Sequence, residues 1–259
     1  MTESVKVFKI GGNVTDSPEA LAAFLDEFVA VPGRKILVHG GGKEATRLCG
    51  ALGVKTEMIN GRRVTSRDTL DVVTMVYAGL VNKRIVSMLQ ARGCDALGLS
   101  GADAGIVRAT KRPAEPVDYG FVGDIVSAGV NTARLLGFID AGLTPVVCAI
   151  MHDGSGNLLN CNADSVASSL AVALAVAVPA ELLLCFEKDG VLADIDNPAS
   201  LVEHIDRDAL PVLIARGVVR EGMIPKVENA VRAVEAGVAS VTIRNSRGIT
   251  IPGGTRITL

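Results

Sequence analysis

Short runs rich in Val, Ile and Leu recur between segments long enough for helices, and this alternation constrains the fold more than any other feature of the chain. The runs are Val5–Ile10, Lys35–His39, Thr144–Ile150, Glu181–Phe186 and Ser240–Arg244. They read as strands buried on both faces, the pattern of a parallel sheet covered by helices. Ser17-Pro18-Glu19 opens the first intervening helix with an N-cap and a proline at the first helical position, and Pro32-Gly33 closes it. A longer helical pattern runs from about Arg67 to Ala91, with Leu70, Val73, Val76 and Leu80 at three- and four-residue spacing. From Ile106 to Ala128 polar and apolar residues alternate, broken by Pro113, Pro116, Gly120 and Gly123, which predicts β-hairpins. A helix over Asn131–Ala141, a hairpin turn at Asp153-Gly154-Ser155-Gly156 and an apolar helix after Asp164 restore the alternation. The expected architecture is α/β, a three-layer α/β/α sandwich with a mainly parallel central sheet.

A chain of 259 residues can hold one large domain or two lobes sharing a sheet. Neither a repeat nor a long linker interrupts it. With 49% hydrophobic and 21% charged residues it is too apolar for extended disorder. The formal net charge of -2 lacks the basic footprint of a nucleic-acid binder, and Lys111-Arg112 reads as a solvated hairpin face. Met1-Thr2-Glu3-Ser4-Val5-Lys6 leads directly into a strand and carries no signal-peptide pattern. The most membrane-like stretch, Val166 to Val178, contains Ser168 and Ser169 and stops at Pro179, short of the ~18–20 apolar residues of a span. Neither nucleic acid nor membrane is expected as a partner. Cys49, Cys94, Cys148, Cys161 and Cys185 are scattered and odd in number, a pattern of the reducing cytoplasm.

Two strand ends lead into glycine turns, Lys9-Ile10-Gly11-Gly12 and His39-Gly40-Gly41-Gly42. Open α/β sheets place ligands at such ends. Glycine lets backbone N–H groups approach an anion, and a helix starting near Lys43 adds its positive dipole end. Neither turn fits the dinucleotide fingerprint or the Walker pattern, so a P-loop or Rossmann enzyme is disfavoured. Farther along stand Asn60-Gly61-Arg62-Arg63-Val64-Thr65, Asn160-Cys161-Asn162-Ala163-Asp164, Asp189-Gly190 and Glu221-Gly222-Met223-Ile224-Pro225-Lys226, each at a junction between elements. Lys9, Arg63, Asn160, Asn162, Asp164 and Lys226 supply the donors and the carboxylate expected around a phosphoryl group. His39, His152 and His204 form no triad or metal set, and His39 reads as a satisfied structural histidine.

The ordered set Lys-x-Gly-Gly, His-Gly-Gly-Gly, Asn-Gly-x-Arg-Val-Thr, Asn-x-Asn-Ala-Asp and Gly-Met-x-x-Lys resembles the N-acetylglutamate kinases of the amino acid kinase family, over essentially the whole chain. The resemblance implies transfer of the ATP γ-phosphate to the side-chain carboxylate of an N-acylglutamate in arginine biosynthesis, with Mg²⁺ accompanying the nucleotide. It implies that Lys9 and Lys226 stabilise the moving phosphoryl group while Asp164 holds both lysines. Gly12 and Gly41 would donate to phosphoryl oxygens. Gly41, Gly42, Arg63, Asn160 and Asn162 would bind the acceptor, with Arg63 and Asn160 on its α-carboxylate. An N-lobe of about residues 1–178 would bind the acylglutamate and a C-lobe of about 179–259 would bind ATP, through Glu187, Lys188, Gly190, Met223 and Lys226. No general base is needed, because the acceptor is already an ionised carboxylate.

The chain departs from the family where Phe186-Glu187-Lys188-Asp189-Gly190 replaces the usual Ser/Thr-Asp-Val-x-Gly nucleotide loop. Segments around Val73–Lys83 and Val117–Asp124 resemble a divergent bacterial branch whose acyl group can be succinyl. A succinyl carboxylate would call for an extra cation, for which Lys111 and Arg112 are candidates. Arginine-inhibited members carry an additional N-terminal helix, whereas here the first strand starts by about Val5, so neither arginine inhibition nor a hexamer is expected and a homodimer is. Carbamate, aspartate, uridylate and glutamate kinases share the glycine loops, but the Asn-Gly-x-Arg and Asn-x-Asn-Ala-Asp motifs favour the acylglutamate branch. A non-catalytic sensor is disfavoured by retention of both lysines and Asp164.

Overall fold

A computed structural model of the chain describes residues 3–194, 197–219 and 223–259. Strand β1 (Val5–Ile10) ends in the single turn α1 (Gly12–Thr15), and α2 (Pro18–Ala30) crosses back to β2 (Arg34–His39). The Ser17 hydroxyl caps α2 by accepting from the Ala20 amide at 3.2 Å, as its sequence signature predicts. Helix α3 (Gly42–Ala51) follows the second glycine turn, and the hairpin β3 (Glu57–Ile59) and β4 (Arg62–Val64) follows α3. One continuous helix then runs through α4 (Arg67–Thr74), a π-helical segment (Met75–Val81) and α5 (Asn82–Gln90) into β5 (Ala96–Leu99). The short pair β6 (Thr110–Lys111) and β7 (Gly123–Asp124) precedes α6 (Thr132–Asp140), β8 (Thr144–Cys148) and the hairpin β9 (Ile150–His152) and β10 (Leu158–Asn160). Helix α7 (Ala163–Ala175), β11 (Ala180–Phe186), β12 (His204–Ile205), α8 (Ala209–Ala215), α9 (Ile224–Glu235), β13 (Ser240–Asn245) and β14 (Thr255–Ile257) complete the described chain.

Eight strands form one sheet in the order β12-β14-β13-β11-β1-β2-β8-β5. All pairings are parallel except β13 with β14. Helices α6, α7 and α9 pack together on one face, and α2 and α5 pack together on the other. The expected three layers follow from β1, β2, β8 and β11 being buried on both sides: Val5, Val7, Phe8 and Ile10 are all at most 1% exposed. Phe28 of α2 seats edge-on against Phe8 of β1, with ring centroids 5.2 Å apart.

Several boundaries depart from the sequence reading. The run Thr144–Ile150 splits between β8 and β9, because the chain leaves the main sheet after Cys148 to form a separate hairpin with β10. The region Ile106–Ala128 holds one two-residue ladder, β6 with β7, and isolated bridges in place of full hairpins. Strand β5 closes one edge of the sheet, and its Gly98 gives it too little apolar signal to stand out alone. The helix Arg67–Gln90, rather than Val166–Val178, is the one described helix long and apolar enough to cross a membrane, and 44% of its most apolar stretch is buried inside the protein.

Candidate active site

Strands β1 and β2 are parallel neighbours, so the glycine turns that follow them open on the same edge of the sheet. Strand β1 lies between β2 and β11, and connections diverge to the two sides of it there, the topological position at which such sheets bind ligands. The two turns, the tip of the β3–β4 hairpin and the segment joining β10 to α7 enclose a cleft of about 200 Å³. That volume suits an amino-acid-sized acceptor better than a nucleotide, given that drug-sized ligands occupy roughly 300–1,000 Å³. Of the residues named from the sequence, Lys9, Gly12, Gly41, Gly42, Arg63, Asn160 and Asn162 line it, together with Met58, Arg62 and Tyr77.

Lys9 stands at the end of β1 and its Nζ pairs with Asp164 Oδ1 at 2.8 Å. The pair is partly shielded, with side-chain exposures of 15% and 33%. Asp164 occupies the first turn of α7, where a carboxylate also meets the positive end of the helix dipole. Asn162 caps that helix, its Oδ1 accepting from the Asp164 and Ser165 amides at 2.9 and 3.2 Å. The Asn162 oxygen is therefore committed to the fold, and its amide NH₂ is the part left for a ligand.

Arg63 is 7% exposed. Its Nη2 donates to the Gly42 carbonyl at 2.8 Å and to Thr46 Oγ1 at 2.7 Å, whereas Nη1 is buried without a hydrogen-bond partner among the described residues. The guanidinium is thus held in the wall of the cleft beside the Tyr77 phenol, where its charge favours a carboxylate ligand. Asn160 is fixed beside it by Nδ2 donating to Thr65 Oγ1 at 3.0 Å. Tyr77 closes the floor: burial raises its phenol above the ordinary range, and the neighbouring Arg63 charge opposes that shift. Below Gly12, burial likewise raises the Asp16 carboxyl while Lys43 opposes it. A Cβ on Gly12 would lie 3.0 Å from Asp16 Oδ2, so this turn has little room for a side chain.

Other predicted residues stand apart from the cleft. Lys226 does not pair with Asp164; its Nζ lies 4.5 Å from the centre of the Phe186 ring, so the Asp164 pairing seen among the described residues is with Lys9 alone. Glu187 faces Asn13 and borders a second depression with Asn245, Ser246 and Arg247, and its carboxyl is pulled below the usual range chiefly by a hydrogen bond from Asn13. Lys188 is exposed. Gly190 serves packing: a Cβ there would lie 2.6 Å from Thr255 Oγ1 and 2.7 Å from Leu201 Cδ1. Met223 caps α9 with its carbonyl, which accepts from the Lys226 and Val227 amides at 3.0 Å each. Glu221 and Gly222 of the last motif lie outside the described residues. Lys111 and Arg112 do not line the cleft: Lys111 lies over the Phe121 ring and Arg112 forms a two-pronged ion pair with Asp124. His39 is fully buried and hydrogen-bonded, as expected of a structural histidine.

Residues 4–245 match the model of the amino acid kinase family. The chain is 47% identical over 257 residues to an acetylglutamate kinase of Bacteroides fragilis, covering 99% of this chain and 98% of that protein. It is 48% identical over 242 residues to one of Cytophaga hutchinsonii, covering 93% and 91%. Among solved structures, smu.665 from Streptococcus mutans superposes with a TM-score of 0.80 at 30% identity over 98% of each chain. The chain belongs to the amino acid kinase family and, within it, to the acetylglutamate kinases, phosphotransferases with a carboxyl group as acceptor.

Proposed function

We propose that this chain phosphorylates the side-chain carboxylate of N-acetyl-L-glutamate with ATP in this cleft, releasing an acyl phosphate for arginine biosynthesis. The observation that carries the reading is the convergence on one cleft of the nearly buried Arg63 guanidinium, the Asn160 side chain and, from the end of β1, Lys9 held by Asp164. Arg63 and the Asn160 side chain bind the α-carboxylate. Gly41 and Gly42 seat the acceptor, and the amides of Gly12 and Gly41 donate to the phosphoryl oxygens in transfer. Lys9, aligned by Asp164, neutralises charge on the moving group. Positioning and charge neutralisation are the main demands of phosphoryl transfer, so the site has no need of a base.

Lys226 is the second cation in this reading. Its contact with the Phe186 ring, worth ~0.5–1 kcal/mol at a partly exposed site, is weaker than a charge-assisted hydrogen bond of ~1.5–3 kcal/mol, so nucleotide phosphates would draw it off the ring. Among the described residues no cluster of three or more His, Cys, Asp or Glu could hold a metal. Mg²⁺ would arrive on the nucleotide phosphates with most of its waters. Glu187, Lys188 and Met223 would border the nucleotide, in a C-lobe of about residues 179–259 that shares the central sheet with an N-lobe of about 1–178. The reading extends to a homodimer in the cytoplasm, supported for compartment by five free, buried cysteines.

A second reading takes N-succinyl-L-glutamate as acceptor, and one observation favours it. Arg62 lines the cleft and its guanidinium makes no hydrogen bond or ion pair among the described residues. An acyl group ending in a carboxylate would supply its partner, and Arg62 replaces Lys111 and Arg112 as the source of the extra cation. The test is MgATP-dependent acyl phosphate formation trapped with hydroxylamine, offering N-acetylglutamate, N-succinylglutamate, glutamate and aspartate. Turnover of N-acetylglutamate alone is expected under the first reading; preference for the succinyl compound, lost in Arg62→Leu, supports the second. Silence with all four removes both.

A further inference from the structure

Three consecutive pieces of one helix carry different hydrogen-bond ladders: α-helical over Arg67–Thr74, π-helical over Met75–Val81 and α-helical again over Asn82–Gln90. Successive residues of an α-helix are about 100° apart, so residues five apart lie about 140° apart on its circumference. A π-helix bonds residue i to i+5 and brings such pairs onto one face, and these insertions concentrate at functional sites. Tyr77 and Asn82 are such a pair, and both meet the glycine turn after β2.

Their contacts are specific. The Tyr77 ring packs directly beneath Gly41: a Cβ there would lie 2.9 Å from Tyr77 Cδ1 and 3.1 Å from Cε1. Asn82, 1% exposed, donates from Nδ2 to His39 Nε2 at 3.0 Å and to the Val146 carbonyl at 2.9 Å. Lys83 Nζ donates to Asn82 Oδ1 at 3.1 Å, which fixes which end of the amide faces His39. A ring nitrogen that accepts at Nε2 must carry its proton on Nδ1, and Nδ1 donates to the Gly40 carbonyl at 2.8 Å. Gly98 on β5 makes room for the amide, since a Cβ there would lie 2.1 Å from Asn82 Oδ1.

We propose that the π-helical segment positions the Gly40–Gly42 turn for catalysis, with the Tyr77 ring supporting Gly41 and Asn82 fixing the Gly40 carbonyl through His39. Tyr77 and Asn82 are positioning residues: they hold the turn whose glycines line the cleft. The inference rests on the reading of this turn as the seat of the acceptor and the moving phosphoryl group. Loosening the turn then weakens donors needed most in transfer and, to a smaller extent, the acceptor seat, because Arg63 is anchored on the Gly42 carbonyl.

The test uses Asn82→Ala, Tyr77→Ala and Tyr77→Phe in the full chain, read by steady-state kinetics and by amide hydrogen exchange over residues 36–47. Both alanine variants are expected to lose about tenfold or more in kcat, a larger factor than the rise in KM for the N-acylglutamate, and to exchange faster over that segment. Tyr77→Phe keeps the ring and is expected to exchange over that segment like the parent and to lose less in kcat than Tyr77→Ala. If Asn82→Ala does not fold, the two Tyr77 variants carry the comparison. Unchanged exchange in folded alanine variants overturns the proposal, as does a loss confined to KM. A parent protein that phosphorylates no N-acylglutamate refutes the functional reading instead, and the exchange measurement still decides whether the segment holds the turn.

Discussion

At the scale of single residues the cleft separates charge neutralisation from acceptor binding. Removing one preorganised charge stabiliser costs ~2.7–4 kcal/mol, roughly a hundred- to a thousand-fold in turnover, so Lys9→Ala is expected to lower kcat by that factor. Arg63→Ala is expected to raise KM for the acceptor more than it lowers kcat, because in this reading it binds a group that does not react. Steady-state constants for the two variants check both statements, and an unchanged kcat in Lys9→Ala would remove it from the mechanism. His39 adds a prediction for pH. Burial lowers its pKa from 6.5 to about 4 in the folded protein. Between those values the unfolded chain binds the proton and the folded one does not, so stability is fully present above about pH 6.5 and falls as pH drops toward 4, by ~3 kcal/mol from this residue. Thermal midpoints measured from pH 7 to 4.5 are expected to fall less steeply in His39→Gln than in the parent.

At the scale of elements the glycines divide into those that packing demands and those it does not. At Gly41 packing excludes a side chain, since a Cβ would lie 2.9 Å from Tyr77 Cδ1 and 3.3 Å from Val81 Cγ2. Gly41→Ala is expected to cost ~1–3 kcal/mol by overpacking, and to lower turnover by displacing the turn. Gly79, inside the π-helical segment, has no atom within 4 Å of a Cβ, so Gly79→Ala is expected to be neutral or to stabilise by up to ~1 kcal/mol. Denaturant midpoints for the two variants test the contrast, and equal effects would contradict it. The β1, β2 and β11 runs were legible because a fully buried parallel strand writes continuous Val, Ile and Leu into the sequence. Short strands toward the two ends of the sheet, such as β5 and β14, were not, since each is only three or four residues long and carries little apolar signal.

At the scale of the whole molecule the exposed side of the Arg67–Gln90 helix bears on assembly. Met75 and Leu80 on it are 54% and 42% exposed. If the homodimer uses this face, solution scattering is expected to give twice the chain mass for the parent and a single chain mass for Leu80→Glu; a ring-shaped hexamer or a parent monomer would overturn the expectation. The sequence by itself determined the layered α/β architecture, the two glycine turns and most of the residues that line the cleft, because strand burial, turn chemistry and motif order are local properties of a chain. Only the tertiary structure decided which charges meet. Lys9 reaches Asp164 because β1 and the start of α7 meet at the same edge of the sheet, whereas Lys226 rests on Phe186, at that edge but at the end of the neighbouring strand β11. Tyr77 and Asn82 escaped the sequence reading for a related reason. A period near 3.6 cannot reveal a π-helical insertion, so which side chains a long helix turns toward a site depends on a phase that packing alone sets.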